Sequence, residues 1–298
     1  MSTVEADEGT RSAGAVGVVS DVSEDATRIG RLLRSRELEL SAVVDVGDAS
    51  DTGLLDALAR MSRDRRVRVV LVIVGEPVSR DLAVRLAEVH RAVKPVVLLG
   101  GDDRQAVGVP PPAGPIRVTS LEEMADAAML LVLQGLPPGR KVAVLTTEPP
   151  TLGTETDEEL AQLSMLGPDL TQHTEMRIHF LSPGSTTRGA VLALPPRTTE
   201  GRVRDVVETL ADDPGVDAVV LDRCASRALG SAPVMSGNPR QHHRRPPVIV
   251  AVDSLAVGHH RGSVPLFGTV HEALDSLART CPRDDVRPTG STAALRPS

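Results

Sequence analysis

The feature that most constrains this chain is the regular alternation of short apolar runs with longer amphipathic stretches. Residues 67–74 form an almost continuous run of Val, Leu and Ile, which is typical of a parallel strand buried on both faces. Residues 23–36 instead place Ile29, Leu32 and Leu33 on one side of a helix. Strands that alternate with helices imply right-handed βαβ crossovers. We therefore predict an α/β protein built on doubly wound parallel sheets.

The same patterns place elements along the rest of the chain. Predicted strands cover residues 15–20, 41–45, 67–74, 95–99, 115–118, 141–145, 190–194, 216–221 and 247–252. Predicted helices cover residues 23–36, 52–61, 79–90, 121–133, 157–165, 199–211 and 270–279. A segment rich in Gly and Pro at 135–139 is typical of a linker.

The linker divides the chain into two domains. We predict domains at residues 14–135 and 140–281, with disordered tails at 1–13 and 282–298. The two halves resemble an internal duplication, because a short strand followed by a helix start recurs in both.

Capping boxes support this repeat. Ser120 with Glu123, and Thr269 with Glu272, have the Ser/Thr-x-x-Glu spacing in which the two side chains satisfy free N–H groups at a helix start. We interpret both as structural rather than functional.

Composition excludes several classes of function. The chain has no Trp and no Tyr, so Phe180 and Phe267 are its only aromatic rings and no base-stacking surface is available. The net charge of −7 opposes binding to a phosphate backbone. Cys224 and Cys281 are too few for a disulfide framework or a thiolate zinc site. No apolar run approaches about 18 residues, and the amino terminus is polar and acidic. We expect a cytoplasmic protein that binds neither nucleic acid nor membrane.

Three segments carry a resemblance to a known family. They are residues 41–58, residues 66–76 ending in a glutamate, and residues 199–221 with their Asp-Asp-Pro-Gly-Val-Asp-Ala-Val-Val run. These segments resemble the NDP-forming acyl-CoA synthetases, the superfamily of the succinyl-CoA synthetase α subunit. The resemblance covers about residues 13–281 and implies two tandem flavodoxin-like domains. We expect no room in the chain for the family's CoA-binding and ATP-grasp domains.

The resemblance implies a phosphotransfer site that is degenerate in this chain. In the family, a phosphohistidine lies on a loop after the fourth strand of the first domain. The corresponding residues here, 100–115, contain no histidine. Glu76 matches the glutamate that orients the family's histidine, so we interpret it as a remnant of that site.

The resemblance also implies two strand-to-helix turns that bind a phosphoryl group. Their remnants are Ser20 and Ser23 in the first domain, and Thr146 and Thr147 in the second. The first turn carries three carboxylates, which we expect to cap the helix and to repel phosphate. The second continues at 148–150 with a glutamate and two prolines, which lack N–H donors.

Three functions follow as hypotheses. The chain is an acyl-CoA synthetase-like subunit without catalytic activity, paired with an ATP-grasp or CoA-binding protein or with a second copy. Alternatively, it is an active component of a split acyl-CoA ligase whose catalytic groups come from a partner. A third interpretation is a small-molecule sensor that uses the crevice at the carboxyl ends of the strands. We predict no cofactor bound by this chain alone, with CoA and ATP or ADP reaching it through a partner.

The histidines suggest few other sites. His242–His243 and His259–His260 are adjacent pairs, which chelate poorly because neighbouring side chains of a strand point to opposite faces. Their two loops would have to meet to bind a metal, so we predict no metal site. His90 near a helix end is interpreted as a favourable charge or cap.

The remaining candidates have weaker signals. His173 and His179 lie beside Ile178 and Phe180, where packing or surface roles are favoured over catalysis. Cys224 follows a strand, and the sequence shows no base beside it. The chain contains no Gly-x-x-x-x-Gly-Lys loop, no Gly-x-Gly-x-x-Gly turn after a strand and no Gly-x-Ser-x-Gly elbow.

Overall fold

The computed structural model describes residues 15–47, 51–75, 77–100, 114–147, 153–229, 247–255 and 258–282. The predicted disordered tails lie outside these residues, apart from Pro282. The strands are β1 (Ala15–Ser20), β2 (Leu40–Asp45), β3 (Val67–Ile73), β4 (Val96–Leu99), β5 (Ile116–Val118), β6 (Val142–Thr146), β7 (Thr186–Arg188), β8 (Val191–Ala193), β9 (Ala218–Leu221), β10 (Val248–Val252), β11 (His260–Arg261) and β12 (Val264–Phe267). The helices are α1 (Ser23–Ser35), α2 (Asp51–Arg63), α3 (Arg80–Ala92), α4 (Leu121–Leu133), α5 (Gly153–Gln162), α6 (Gln172–Leu181), α7 (Glu200–Ala211), α8 (Arg223–Leu229) and α9 (Val270–Thr280).

The first sheet has five parallel strands in the order β2-β1-β3-β4-β5. Helices α1 and α4 pack on one face and α2 and α3 on the other, with separate apolar clusters beneath them. This is the flavodoxin-like order, in which the chain reverses direction of winding between the first and third strands. The predicted doubly wound α/β fold is confirmed. We call this sheet with α1–α4 the first unit.

The second sheet has seven strands in the order β11-β12-β10-β9-β6-β8-β7. Its parallel core, β8-β6-β9-β10-β12, repeats the order of the first sheet. We call this sheet with α5–α9 the second unit. The prediction of a wholly parallel sheet is corrected at its edges, where β7 and β11 are antiparallel to their neighbours. These strands have three and two residues, too short and polar to give an apolar run.

Two helices were not predicted, and one was placed too late. Helix α5 begins at Gly153 instead of residue 157. Helix α6 buries only Thr174 and Ile178, while Phe180 is 79% exposed. Its sequence therefore lacks the apolar face by which a helix is predicted. Helix α8 has seven residues, too few to show a period. No helix among the described residues is long and apolar enough to cross a membrane.

Both predicted capping boxes are present. The Ser120 hydroxyl accepts from the N–H of Glu123 at 3.1 Å, and the Glu123 carboxylate accepts from the N–H of Thr119 at 2.7 Å. In the second unit, Thr269 accepts from the N–H of Glu272 at 3.1 Å. The last helix of each unit therefore begins with the same device.

Helix α4 lies between the units. It contacts α1 and strands of the first sheet on one side, and α9 and β12 on the other. Nine of its thirteen residues are buried, and they belong to an apolar cluster that runs through both units. After the helix, the amide of Gln134 donates to the carbonyl of Ser263 and accepts from the N–H of Ile249. The boundary between the two domains at 135–139 stays a prediction.

Candidate functional site

A crevice lies at the carboxyl ends of β1, β3, β4 and β5, between the first turns of α1 and α4. Its volume is about 640 Å³. Ligands of open α/β sheets bind at this edge, where the winding direction changes. The crevice is lined by Val22, Asp25, Arg28, Ile73, Val74, Gly75, Leu99, Gly100, Arg117, Val118, Thr119, Ser120, Leu121 and Glu122.

A carboxylate crosses the point where the winding changes. Asp21, directly after β1, accepts a hydrogen bond from the N–H of Gly75 at 2.8 Å, directly after β3. The Ser20 hydroxyl accepts from the N–H of Val22 at 3.0 Å and donates to its carbonyl at 2.9 Å. Ser20 is fully buried, and both hydrogen bonds of its hydroxyl are made to the backbone of Val22 in the same turn. The N–H of Gly75, a residue that lines the crevice, is therefore already bound to the Asp21 carboxylate.

The start of α1 differs from the prediction. Val22 is the N-cap, and no side chain caps the helix. The prediction that the acidic residues cap it is wrong, because Asp21 reaches across to β3 instead. Asp25 pairs with Arg28 at 3.6 Å in the first turn.

The charges that line the crevice are balanced. Asp25 and Glu122 are acidic, and Arg28 and Arg117 are basic. None of the described lining residues is a histidine or a cysteine. Gly100 closes the end of β4 with a φ of 89°, and a Cβ there would come within 1.9 Å of the Val74 carbonyl oxygen. The backbone at this edge is therefore packed too tightly for any side chain at residue 100.

The corresponding edge of the second sheet is closed by another carboxylate. Asp222, directly after β9, accepts from the hydroxyl of Thr146 at the end of β6, and from the N–H of Ala225 at 2.7 Å. Both Thr146 and Asp222 are buried. Asp222 thus joins the first and third parallel strands of its sheet, as Asp21 does in the first unit.

A partly buried ion pair lies at the same edge of the sheet. Asp253, directly after β10, binds the Arg261 guanidinium at 2.8 Å, and Arg261 also donates to the carbonyl of Ser226 at 3.3 Å. Asp253 is only 6% exposed, so the pair also satisfies a carboxylate that burial would otherwise penalise. The antiparallel strand β11 supplies the arginine.

The predicted phosphate-binding remnants are divided between the two units, and their role stays a prediction. Ser20 and Ser23 lie in the first unit, while Thr146 and Thr147 lie in the second. The Ser23 hydroxyl bonds to Asp45, and this bond, with the N–H of Gly47, holds the pKa of Asp45 below its usual value. Glu76 and residues 148–150 lie outside the described residues, as do 101–113 of the loop at 100–115.

The sequence analysis missed Asp222, Asp253 and Arg261. A signal for the two acids is present, because each directly follows a buried apolar strand. The position of Arg261 depends on a two-residue antiparallel strand, which leaves no pattern.

The described histidines of the two helices α3 and α6 differ in their surroundings. His90 accepts at Nδ1 from the N–H of Val96 at 3.0 Å, and burial lowers its pKa. The interpretation of His90 as a charge or cap near a helix end stays a prediction; the contact that the structure shows anchors the start of β4. His173 and His179 are exposed on α6.

The two histidine pairs do not form a metal centre in the described part of the chain. His259 and His260 face Glu37 of the first unit, with N–O distances of 3.8 and 3.9 Å. His242 and His243 lie outside the described residues. Within the ranges that the structure describes, no group of three or more His, Cys, Asp or Glu side chains is placed to hold a metal ion.

Cys224 and Cys281 form no disulfide with each other. Cys224 is half-buried at the start of α8, and Cys281 is buried, where its thiol donates to the carbonyl of Gly139 at 3.0 Å. Cys281 thus fixes the end of α9 to the segment that joins the units.

The strand order and the closed carboxyl edges define a protein with two flavodoxin-like units in tandem. Residues 13–110 match the family described as the succinyl-CoA ligase like flavodoxin domain. The resemblance predicted from the sequence is confirmed by this match, which covers most of the first unit. A search of curated proteins finds no match.

Solved structures share the fold of both units. PH0766 from Pyrococcus horikoshii OT3 is 14% identical with a TM-score of 0.68. The dinucleotide forming acetyl-coenzyme A synthetase 1 of Ca. Korarchaeum cryptofilum is 15% identical with a TM-score of 0.67, both in its apo form and in complex with phosphate and ADP. Each alignment covers 90% of this chain and 64% of the other. The chain therefore spans less than two thirds of these structures.

Proposed function

We propose that this chain is a non-catalytic, acyl-CoA synthetase-like subunit of a cytoplasmic complex. In this proposal it keeps the family's two flavodoxin-like units as a scaffold. Its partner is a protein of ATP-grasp or CoA-binding type, which brings ATP or ADP and CoA. The family match at residues 13–110 supports the acyl-CoA ligase-like assignment.

The hydrogen bond between Asp21 and Gly75 carries the proposal that phosphoryl transfer is lost. A phosphoryl group at this edge needs free backbone N–H groups and positive potential. The N–H of Gly75 is instead bound at 2.8 Å by a carboxylate, which repels a second anion. The absence of any histidine from residues 100–115 removes the nucleophile that the family resemblance implies.

Labelled phosphate transfer tests this proposal. The purified chain is incubated with ATP carrying a labelled γ-phosphate, and separately with labelled acetyl phosphate. We expect no label on the protein after an alkaline quench that preserves phosphohistidine. Stoichiometric labelling of the isolated chain would overturn the proposal. Labelling that requires an added ATP-grasp partner would instead support an active component of a split ligase.

A gain of anion binding tests the structural reason. Replacing Asp21 with Ser frees the N–H of Gly75 and removes its charge. We expect the affinity for inorganic phosphate to rise roughly tenfold. The chemical shift of the Gly75 amide in NMR titrations with phosphate measures this affinity. Asp25→Ser is the matched control, because it removes an equal charge from the same turn and leaves the Gly75 bond intact. Equal gains in the two variants would show that the bond to Gly75 has no special role.

The crevice favours a second candidate function, the binding of a small molecule as a sensor. Its volume of about 640 Å³ suits a small ligand. Its two acidic and two basic residues suit a zwitterion better than an anion. A thermal-shift screen with free amino acids tests this, and we expect Arg28→Ala to abolish any shift. A shift that persists in Arg28→Ala would place the ligand elsewhere.

A further inference from the structure

Strand β2 leaves a long open edge on the first sheet. It has six residues and, within the described ranges, pairs only with β1. The other edge strands β5, β7 and β11 have three, three and two residues. Short edges resist pairing with another chain, whereas a long open edge presents a row of free N–H and C=O groups.

The hydrogen-bonding direction of β2 identifies which groups are free. The N–H of Val46 donates to the carbonyl of Ser20 at 2.8 Å, so Val46 faces β1. Because this direction alternates along a strand, the main-chain groups of Val43 and Asp45 face the open edge. Val43 is 45% exposed near the middle of the strand. Among the described residues, the edge therefore combines two features, backbone groups that no strand pairs and an exposed apolar side chain.

A groove of about 470 Å³ runs beside this edge, between β2 and α1. Its lining includes Ser23, Gly30, Arg31, Arg34, Val43 and Asp45. Gly30 lies beside open space, because a Cβ added there would have only a methyl carbon of Leu40 within 4 Å.

The groove is polarised. Asp45 and Ser23 lie at the end where β2 finishes, and hydrogen bonds from Ser23 and the Gly47 N–H lower the pKa of Asp45. Arg31 and Arg34 lie on the last half of α1, beside the start of β2. Both are exposed, and neither has an ion-pair partner among the described residues. Asp45 likewise forms no ion pair with any residue that the structure describes.

We propose that β2 pairs antiparallel with β2 of a second copy of this chain, which forms a homodimer with one continuous sheet. A two-fold axis beside Val43 brings the end of each β2 to the start of the other. Asp45 of one copy then meets Arg31 and Arg34 of its partner, and the contact occurs twice. Such an interface uses the same patch on both copies and closes on itself. The pairing is independent of the function proposed above.

Sedimentation velocity over a concentration series tests the dimer. We expect the wild-type chain to dimerise and the dissociation constant to rise with salt, because charge pairs contribute to the contact. Asp45→Arg places like charges across the axis twice, so we expect the dissociation constant to rise roughly tenfold. A wild-type chain that stays monomeric at high micromolar concentration would overturn the proposal.

A charge swap separates this interface from others. We expect Arg31→Glu with Arg34→Glu to weaken the dimer, and the triple variant with Asp45→Arg to restore it to within about threefold of wild type. Val43→Lys blocks the edge and is expected to give monomers. Arg188→Glu on the edge strand β7 is the matched control and should leave the dimer intact. Circular dichroism confirms that each variant is folded, and a dimer that survives both Val43→Lys and Asp45→Arg would contradict the β2 pairing.

Discussion

In both units a carboxylate links the carboxyl ends of the first and third parallel strands, but the carboxylate follows a different strand in each. In the first unit, a carboxylate after the first strand, Asp21, reaches to the backbone after the third strand. In the second unit, a carboxylate after the third strand, Asp222, reaches back to a side chain at the end of the first. The same pair of strands is joined in both, although the acid comes from a different strand.

The difference lies in burial. The bond between Asp21 and Gly75 is exposed, while Thr146 and Asp222 are both buried. An exposed bond contributes little to stability but fixes a charge where a ligand would bind. A buried one is expensive to break, because it leaves polar groups without partners. We infer that Asp21 mainly sets the electrostatics of its crevice, whereas Asp222 mainly holds its unit together.

The largest expected effect comes from removing each acid. Asp222→Ala removes the buried carboxylate that accepts from the Thr146 hydroxyl and the Ala225 N–H, so we expect the free energy of unfolding to fall by about 2 to 4 kcal/mol. Asp21→Ala is expected to cost about 1 kcal/mol or less. Urea unfolding followed by circular dichroism measures both. Equal losses would remove the distinction between the two edges.

The next comparison concerns equivalent acids on α4 and α9. Asp126 pairs with Arg36 at 2.6 Å, and burial raises the pKa of Asp126 to about 6. Its counterpart Asp275 pairs with Arg279 on its own helix. Because the folded pKa of Asp126 exceeds the unfolded value, its stabilising contribution is complete below about pH 4 and is lost as pH rises through 6.

Asp126→Asn should abolish this dependence. Between pH 4 and 7 we expect wild type to lose about 2 to 3 kcal/mol relative to Asp126→Asn. Asp275→Asn is the control and should keep the wild-type slope. Unfolding free energies measured across this range give the slopes. Parallel curves for wild type and Asp126→Asn would show that Asp126 titrates normally.

The smallest expected difference separates the two capping boxes. The Glu123 carboxylate accepts from the N–H and hydroxyl of Thr119 and also binds Arg279 of the second unit. Glu272 accepts only from the N–H of Gly268, at 2.9 Å, among the described contacts. We expect Glu123→Gln to cost about 1 kcal/mol and Glu272→Gln about 0.5 kcal/mol or less. Thermal and urea unfolding check this order, which a larger loss in Glu272→Gln would reverse.

The parallel core of both sheets is predictable because burial on two faces leaves a plain apolar run. The bounds of β1 and α4 agree with the prediction to the residue. The capped helix starts are predictable for a similar reason, since the signal lies within four residues. Strands β7 and β11 are not predictable from the sequence. They are three and two residues long, and they form by hydrogen bonding to the outermost parallel strand without needing an apolar run.

The site is less accessible to sequence reasoning. An acidic residue directly after a buried strand can be recognised in the sequence. Its hydrogen-bond partner cannot, because the bond between Asp21 and Gly75 joins residues 54 apart. Whether an acid caps its own helix or crosses to another strand depends on the spacing of the strands, which no local pattern records. The prediction that the acids cap α1 failed for this reason, and the role of Glu76 stays a prediction.

The burial of α4 between the units has a consequence for how the protein is made. Its covering helix α9 ends about 150 residues further along the chain. At a synthesis rate of about 5 to 20 residues per second, the apolar side of α4 waits roughly 7 to 30 s for its cover. During that time the first unit emerges from the ribosome with Met and Leu side chains exposed. Until α9 is made, we expect this side of α4 to be a surface that chaperones for apolar segments can bind.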